Sequence, residues 1–187
     1  MAGGTQHHRP GFAATGPNQK WGVDISYVWT REGWICLAVV IDLFSRRVVG
    51  WSVGDRLHRR LAIAALQTAL TMRRPPEGLI HHSDRGSQYC SVDYQATLRL
   101  DGVPISMSGK GNCYDNAMVE TFCQALTKGL PDRNLATTCG RIRLAVTSCS
   151  TLPLMMASNW FATFTVLETW VKSLLITDEV AHLPVIG

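Results

Sequence analysis

The chain has 187 residues, 46% of them hydrophobic and 17% charged. That is enough apolar material for one well-buried domain, or one domain with a tail, and it excludes a wholly disordered protein. A net charge of +4 permits an anionic partner without requiring one.

Residues 1–20 read as a polar leader or linker with no secretory pattern. Trp21 to Thr30 is β-rich, Arg31-Glu32-Gly33 makes a turn, and Trp34 to Ile41 forms a second strand. Asp42 to Arg46 turns into a third strand, Arg47 to Val53. Short connections between the three predict an antiparallel meander, with Trp21, Trp34 and Trp51 packed in the core. From His58 to Met72 the apolar period becomes helical, and Arg73-Arg74-Pro75-Pro76 stops the helix. Leu79 to His82 is a short strand, Ser91 caps a helix running to about Leu100, and Val103 to Met107 is the fifth strand. Gly109 to Asp115 reads as a flexible loop, and Asp115 or Asn116 caps a last helix ending near Gly129-Leu130-Pro131. The expected order is βββαβαβα, an α/β class with a mixed five-stranded sheet.

Six cysteines, at positions 36, 90, 113, 123, 139 and 149, form no CxxC pair and no Cys/His zinc spacing. The chain is also longer than small disulfide scaffolds, so a reduced cytoplasmic setting is the default expectation. Leu144 to Leu167 carries no charge and is long enough to span a bilayer. Pro153, Asn159 and seven Ser or Thr residues keep its hydrophobicity modest, so no membrane association is expected, and a membrane-associated product is kept as an alternative.

Eleven carboxylates fall within residues 1–132, and three stand in unusual company. Asp24 lies inside an apolar strand, where an unpaired charge is costly to desolvate. An outward-facing position, shared with Gly22 and Ser26, is the competing explanation. Asp84 ends one strand and opens a turn, a place that favours both ligand groups and ordinary turn chemistry. Glu120 sits in the first turn of the last helix, near the positive end of its dipole, where capping is the bland alternative. If the first and fourth strands are neighbours, the three carboxylates share one crevice. Three like charges there repel by roughly 4 kcal/mol per pair at 4 Å and an effective dielectric near 20. Mg²⁺ or Mn²⁺, two ions in all, would relieve that repulsion and suit hard oxygen ligands.

Four stretches carry a resemblance: PNQKWGVDISYV (17–28), LAVVIDLFSRRVVGWSV (37–53), LIHHSDRGSQY (79–89) and SMSGKGNCYDNAMVETF (106–122). They resemble, in the family's order, the integrase-core (DDE) transposases of bacterial insertion sequences, orfB-type, which are related to retroviral integrases. Asp84 and Glu120 are separated by 35 residues, as the family pattern requires. The resemblance implies an RNase H-like fold over residues 21–130. It implies Asp24, Asp84 and Glu120 as catalytic and metal-holding carboxylates, with Asp24 shared between both ions. It further implies hydrolysis at an element's end followed by attack of the freed 3′ hydroxyl on target DNA, with no covalent protein–DNA intermediate. His82 and Arg85 flank the second carboxylate; they steady it or touch a phosphate, with packing or solvation as the alternative. Lys110 is placed to meet DNA, or is a solvated loop lysine. Asn112, Tyr114 and Asn116 belong to the family's loop motif and shape it. A homo-oligomer working near the bacterial nucleoid follows from the same resemblance. A general RNase H-like nuclease would share the carboxylates, but the motifs weigh against it.

Two departures stand out. The family carries Lys or Arg seven residues after the catalytic Glu; here that position is Thr127, and the nearest base, Lys128, lies about 100° further round the helix. The family then continues with a Tyr- and Arg-rich region of which residues 129–187 show nothing. Residues 131–187 therefore read as a divergent tail, frameshifted near codon 127, and one of the other two reading frames should carry the missing motif. A truncated remnant without activity is the corresponding alternative. With only residues 1–20 ahead of the first strand, an upstream helix-turn-helix protein or segment is expected to supply recognition of the element's ends.

Overall fold

A computed structural model describes residues 14–107 and 117–129, with 142 and 145–147. Five strands and three helices follow the expected order: β1 (Lys20–Thr30), β2 (Gly33–Asp42), β3 (Val48–Gly54), α1 (Arg59–Arg73), β4 (Ile80–Ser83), α2 (Val92–Leu100), β5 (Ile105–Met107) and α3 (Ala117–Gly129). The strands form one mixed sheet in the order β3-β2-β1-β4-β5. The first three make the antiparallel meander, and β4 and β5 add in parallel on the other side of β1.

Alternation along the strands divides the core in two. Ile35, Leu37, Val39 and Ile41 of β2 join Val28 and the buried side chains of α3 on one face. Cys36, Ala38 and Val40 join Trp21, Val23, α1 and α2 on the other. Every residue of β2 from Ile35 to Asp42 is buried, as a strand covered on both faces requires. Small residues on the second face let α1 approach closely. A side chain at Gly50 would begin 2.3 Å from the Ala65 carbonyl oxygen and 2.6 Å from the Ala69 nitrogen.

Local signals end the helices where the sequence places them. His58 caps α1, accepting from the Arg60 amide, and Arg74 closes it in the left-handed region. Ser91 caps α2 by accepting from the Tyr94 amide. The buried carboxylate of Asp42 accepts from the amides of Asn18 and Ser45 and from the Ser45 hydroxyl, so it ties the β2–β3 turn to the entry of β1.

The expectation that all three strand tryptophans lie in the core is corrected for one of them. Trp21 is buried and Trp51 packs at the edge of the α3-side core, whereas Trp34 is 57% exposed. Trp34 stands at the tip of the β1–β2 hairpin. There it meets Trp29, its cross-strand partner, edge-on at 5.1 Å, and Tyr27 at 6.5 Å. The rings pin the hairpin register instead of filling the core.

Ile142, Ala145 and Val146, from the segment read as a divergent tail, are buried in the core that α3 covers. Among the described residues no helix is long and apolar enough to cross a membrane. Of the charge-free run 144–167, residues 145–147 are described, and two of them are these core residues.

His81 on β4 is fully buried; its Nε2 shares a 2.8 Å hydrogen bond with the Tyr94 hydroxyl, while its Nδ1 has no partner. Burial, aided by nearby His82, pushes its pKa down to about 3, so it is held neutral. The unfolded chain then binds the extra proton between about pH 6.5 and 3, and folding stability is lost as pH falls through that window. The expected slope from this residue is up to about 1.4 kcal/mol per pH unit below 6.5. Urea unfolding at pH 7 and pH 5 measures it. The loss should be distinctly smaller in His81→Gln, and equal losses would contradict the assignment.

Candidate active site

Parallel pairing of β1 with β4 places the first two carboxylates side by side. Gly22 lies opposite His82, so the same register carried two residues on brings Asp24 level with Asp84, just beyond the end of β4. Both project on the face that α3 covers, because Gly22, Asp24, Ser26 and Val28 alternate with the residues facing α1 and α2. Asp24 is half-buried there, not turned outward to solvent.

The β4–α2 turn orients Asp84. Its Oδ1 accepts the Gly86 amide at 2.9 Å, an Asx-type turn, and a side chain at Gly86 would begin 2.9 Å from that oxygen. Glu120 arrives from the first turn of α3 and is exposed at the opening of the crevice. The approach of α3 depends on Gly22: a side chain there would meet Val119 Cγ2 at 2.6 Å and Leu43 Cδ2 at 2.9 Å.

Electrostatics tie the three together. Burial raises the pKa of Asp24, and the charges of Asp84 and Glu120 raise it further; the Ile25 amide and the Ser26 hydroxyl, 3.4 Å from Oδ2, act against them. The phenol of Tyr89 is likewise raised, first by burial and then by the charges of Tyr94, Asp24 and Asp84. An all-oxygen, half-exposed and mutually repelling donor set fits a hard divalent cation with open coordination positions. As the side chains stand, however, no group of three or more His, Cys, Asp or Glu among the described residues lies close enough together to hold a metal ion.

His82 is buried on the same face, and its Nδ1 shares a 3.0 Å hydrogen bond with the Ser106 hydroxyl, its register partner on β5. It therefore anchors the strand that leads toward position 110. Arg85 is exposed directly after Asp84. Lys110, Asn112, Tyr114 and Asn116 lie outside the described residues; Lys128 is in the last turn of α3, and its side chain is likewise outside them. Sequence reasoning placed Ser26 on the face of Asp24 but missed Gly86 and Ser106, which orient Asp84 and His82.

The Integrase core domain family matches residues 14–113, just over half of the chain. Transposase InsF for insertion sequence IS3A, from Escherichia coli (strain K12), is 57% identical over 115 residues, which are 62% of this chain and 40% of that protein. The Insertion element IS600 uncharacterized 31 kDa protein of Shigella sonnei is 51% identical over 111 residues, 59% of this chain and 41% of that protein. The chain thus spans about two-fifths of the length of these relatives. Among solved structures, the HTLV-2 integrase catalytic core domain in complex with magnesium superposes with a TM-score of 0.56 at 19% identity, covering 76% of this chain and 91% of that one. A simian T-cell lymphotropic virus intasome chain superposes at 0.55 with 18% identity, covering 90% and 58%. Both likenesses concern the fold, the RNase H-like sheet of integrase catalytic cores. By its sequence and by its sheet, the chain belongs to the integrase core domain family.

Proposed function

We propose that this chain is the catalytic core of a DNA transposase, carrying out divalent-metal-dependent phosphodiester hydrolysis and strand transfer. The supporting observation is the meeting of Asp24, Asp84 and Glu120, from two adjacent parallel strands and a helix, near enough for the latter two to raise the pKa of the first. Asp24, Asp84 and Glu120 would together hold Mg²⁺ or Mn²⁺, two ions in all. Bound there, the ions would supply an activated water or 3′ hydroxyl and charge neutralisation at the departing oxygen.

The remaining work falls to the chain itself. The Gly86 amide keeps Asp84 pointed into the crevice. The His82–Ser106 bond ties β4 to β5 beside Asp84. Arg85, Lys110 and Lys128 would meet backbone phosphates, giving salt-sensitive and sequence-independent affinity. No side-chain nucleophile is required. Residues 21–130 form the catalytic unit, preceded by a leader (1–20) and followed by a divergent segment (131–187) of which Ile142, Ala145 and Val146 pack into the unit's core. The protein acts as a homo-oligomer at the bacterial nucleoid, with a helix-turn-helix protein or segment recognising the element's ends.

Nicking of supercoiled plasmid in Mn²⁺ tests the reading. The parent chain should convert supercoiled to open-circular DNA only with divalent metal, and Glu120→Gln should lower that rate by about 10²-fold or more, as loss of one preorganised electrostatic group does elsewhere. A parent without metal-dependent nicking, or a Glu120→Gln variant that nicks equally well, overturns it.

A further inference from the structure

The β4–α2 turn that orients Asp84 carries a second polar side chain, Gln88, to which the reaction so far gives no role. Gln88 is half-buried, and its backbone is pinned. Its carbonyl accepts the Ser91 hydroxyl at 2.7 Å, the same hydroxyl that caps α2. Its side-chain amide, with two donor hydrogens and an acceptor oxygen, makes no hydrogen bond among the described residues. The turn thus holds the residue still and leaves its amide open to a ligand.

Gly86 puts that amide beside the carboxylate. Its φ is not positive, so backbone freedom is not what this glycine supplies. It supplies room: a Cβ there would begin 2.9 Å from Asp84 Oδ1, 3.3 Å from Gln88 Oε1 and 3.5 Å from Tyr89 Cδ2. The carboxylate oxygen and the amide oxygen therefore border the same gap. The amide nitrogen shares a carbon with Oε1, so the donor hydrogens lie there too. At about 2.1 Å per metal–oxygen contact, a phosphate oxygen sharing a cation with Asp84 stands within about 4 Å of its carboxylate, the scale of this gap.

We propose that Gln88 is a DNA-contacting residue: its side-chain NH₂ donates to a phosphate oxygen of the strand held at Asp84. The inference rests on the transposase reading above and adds a neutral contact to it. Arg and Lys bind phosphates by displacing counterions, which makes their contribution salt-dependent. An amide donor displaces none, so it fixes the position of one phosphate with an affinity that salt does not screen.

Gln88→Met keeps the length and flexibility of the side chain and removes the donor. Fluorescence anisotropy of a short labelled DNA duplex, titrated in Ca²⁺ as a hard cation for the same oxygen ligands, compares the two chains. Gln88→Met should bind about tenfold more weakly, the lower end for losing a hydrogen bond to a charged group. The slope of log Kd against log salt concentration should equal the parent's, and so should the Mn²⁺-induced rise in Tm, which a merely structural role would alter. Equal DNA affinity in the two chains overturns the proposal. A loss that comes with a flatter salt slope or a smaller Mn²⁺ shift overturns it as well. A second measurement follows the side-chain NH₂ signals of Gln88 in ¹⁵N correlation spectra, assigned by their absence from Gln88→Met. They should shift when the duplex is added, and signals that stay in place while others move overturn the proposal. A parent that binds no duplex removes the transposase reading together with this contact, whereas equal binding by parent and variant removes the contact alone.

Discussion

Replacing Asp24 with Asn should abolish activity and make the metal-free protein more stable. The carboxyl of Asp24 has its pKa raised by burial and by the charges of Asp84 and Glu120. A raised carboxylate pKa means the folded state disfavours the ionised form. That cost is absent below the ordinary value of 3.8, grows as pH rises through the folded-state pKa, and is fully present at neutral pH. Asn has the same shape and no charge, so the gain should lie in the range usual for relieving an electrostatically strained site, about 0.5–2 kcal/mol. Thermal unfolding in EDTA at pH 7 should rise by a few degrees, and the difference between variant and parent should shrink toward pH 4. On the proposed metal-site reading, metal-dependent nicking should fall by about 10³-fold or more, because Asp24 is the carboxylate that the charges of both Asp84 and Glu120 reach. A variant less stable than the parent in EDTA would mean that Asp24 is a stabilised structural carboxylate instead.

The largest loss of stability from a single methyl group is expected at Gly50. On β3 this residue faces α1, and an added Cβ would lie 2.3 Å from the Ala65 oxygen, 2.6 Å from the Ala69 nitrogen and 2.7 Å from the Ala69 methyl. Two of these three atoms are helix backbone and cannot turn aside as a side chain could. Helix α1 would have to move off the sheet, opening gaps around Ala62, Ala65, Leu66 and Ala69, all buried in that layer. Overpacking commonly costs 1–3 kcal/mol, and the backbone contact puts Gly50→Ala at about 3 kcal/mol or above. For a chain of this size that lowers Tm by roughly 6–12 °C. Gly33→Ala, where the added carbon meets nothing within 4 Å, is the control; its cost comes only from the positive φ of 112°. Equal losses at the two positions would show that the sheet–helix contact at Gly50 is not tight.

Element order was legible because each boundary carries its own chemistry: Ser91 at the start of α2, Pro75-Pro76 after α1, and alternation through β1 and β2. Trp34 was misread because aromatic residues in strands favour burial on average. No local signal marks a hairpin tip as lying past the edge of the covering helix. The carboxylates were legible only as a set. The adjacency of Asp24 and Asp84 depends on a parallel pairing across some sixty residues of chain, which periodicity does not encode; the family resemblance supplied it.

Metal binding by the assembled carboxylates is the claim on which the rest depends. Thermal unfolding of the parent and of Asp24→Asn, each with and without about 10 mM Mn²⁺, tests it most directly. For a dissociation constant of about 1 mM, linkage gives about 1.4 kcal/mol of stabilisation, or roughly 3–6 °C. The account predicts that rise in the parent and little or none in Asp24→Asn. Equal shifts in both chains, or no shift in either, would contradict it.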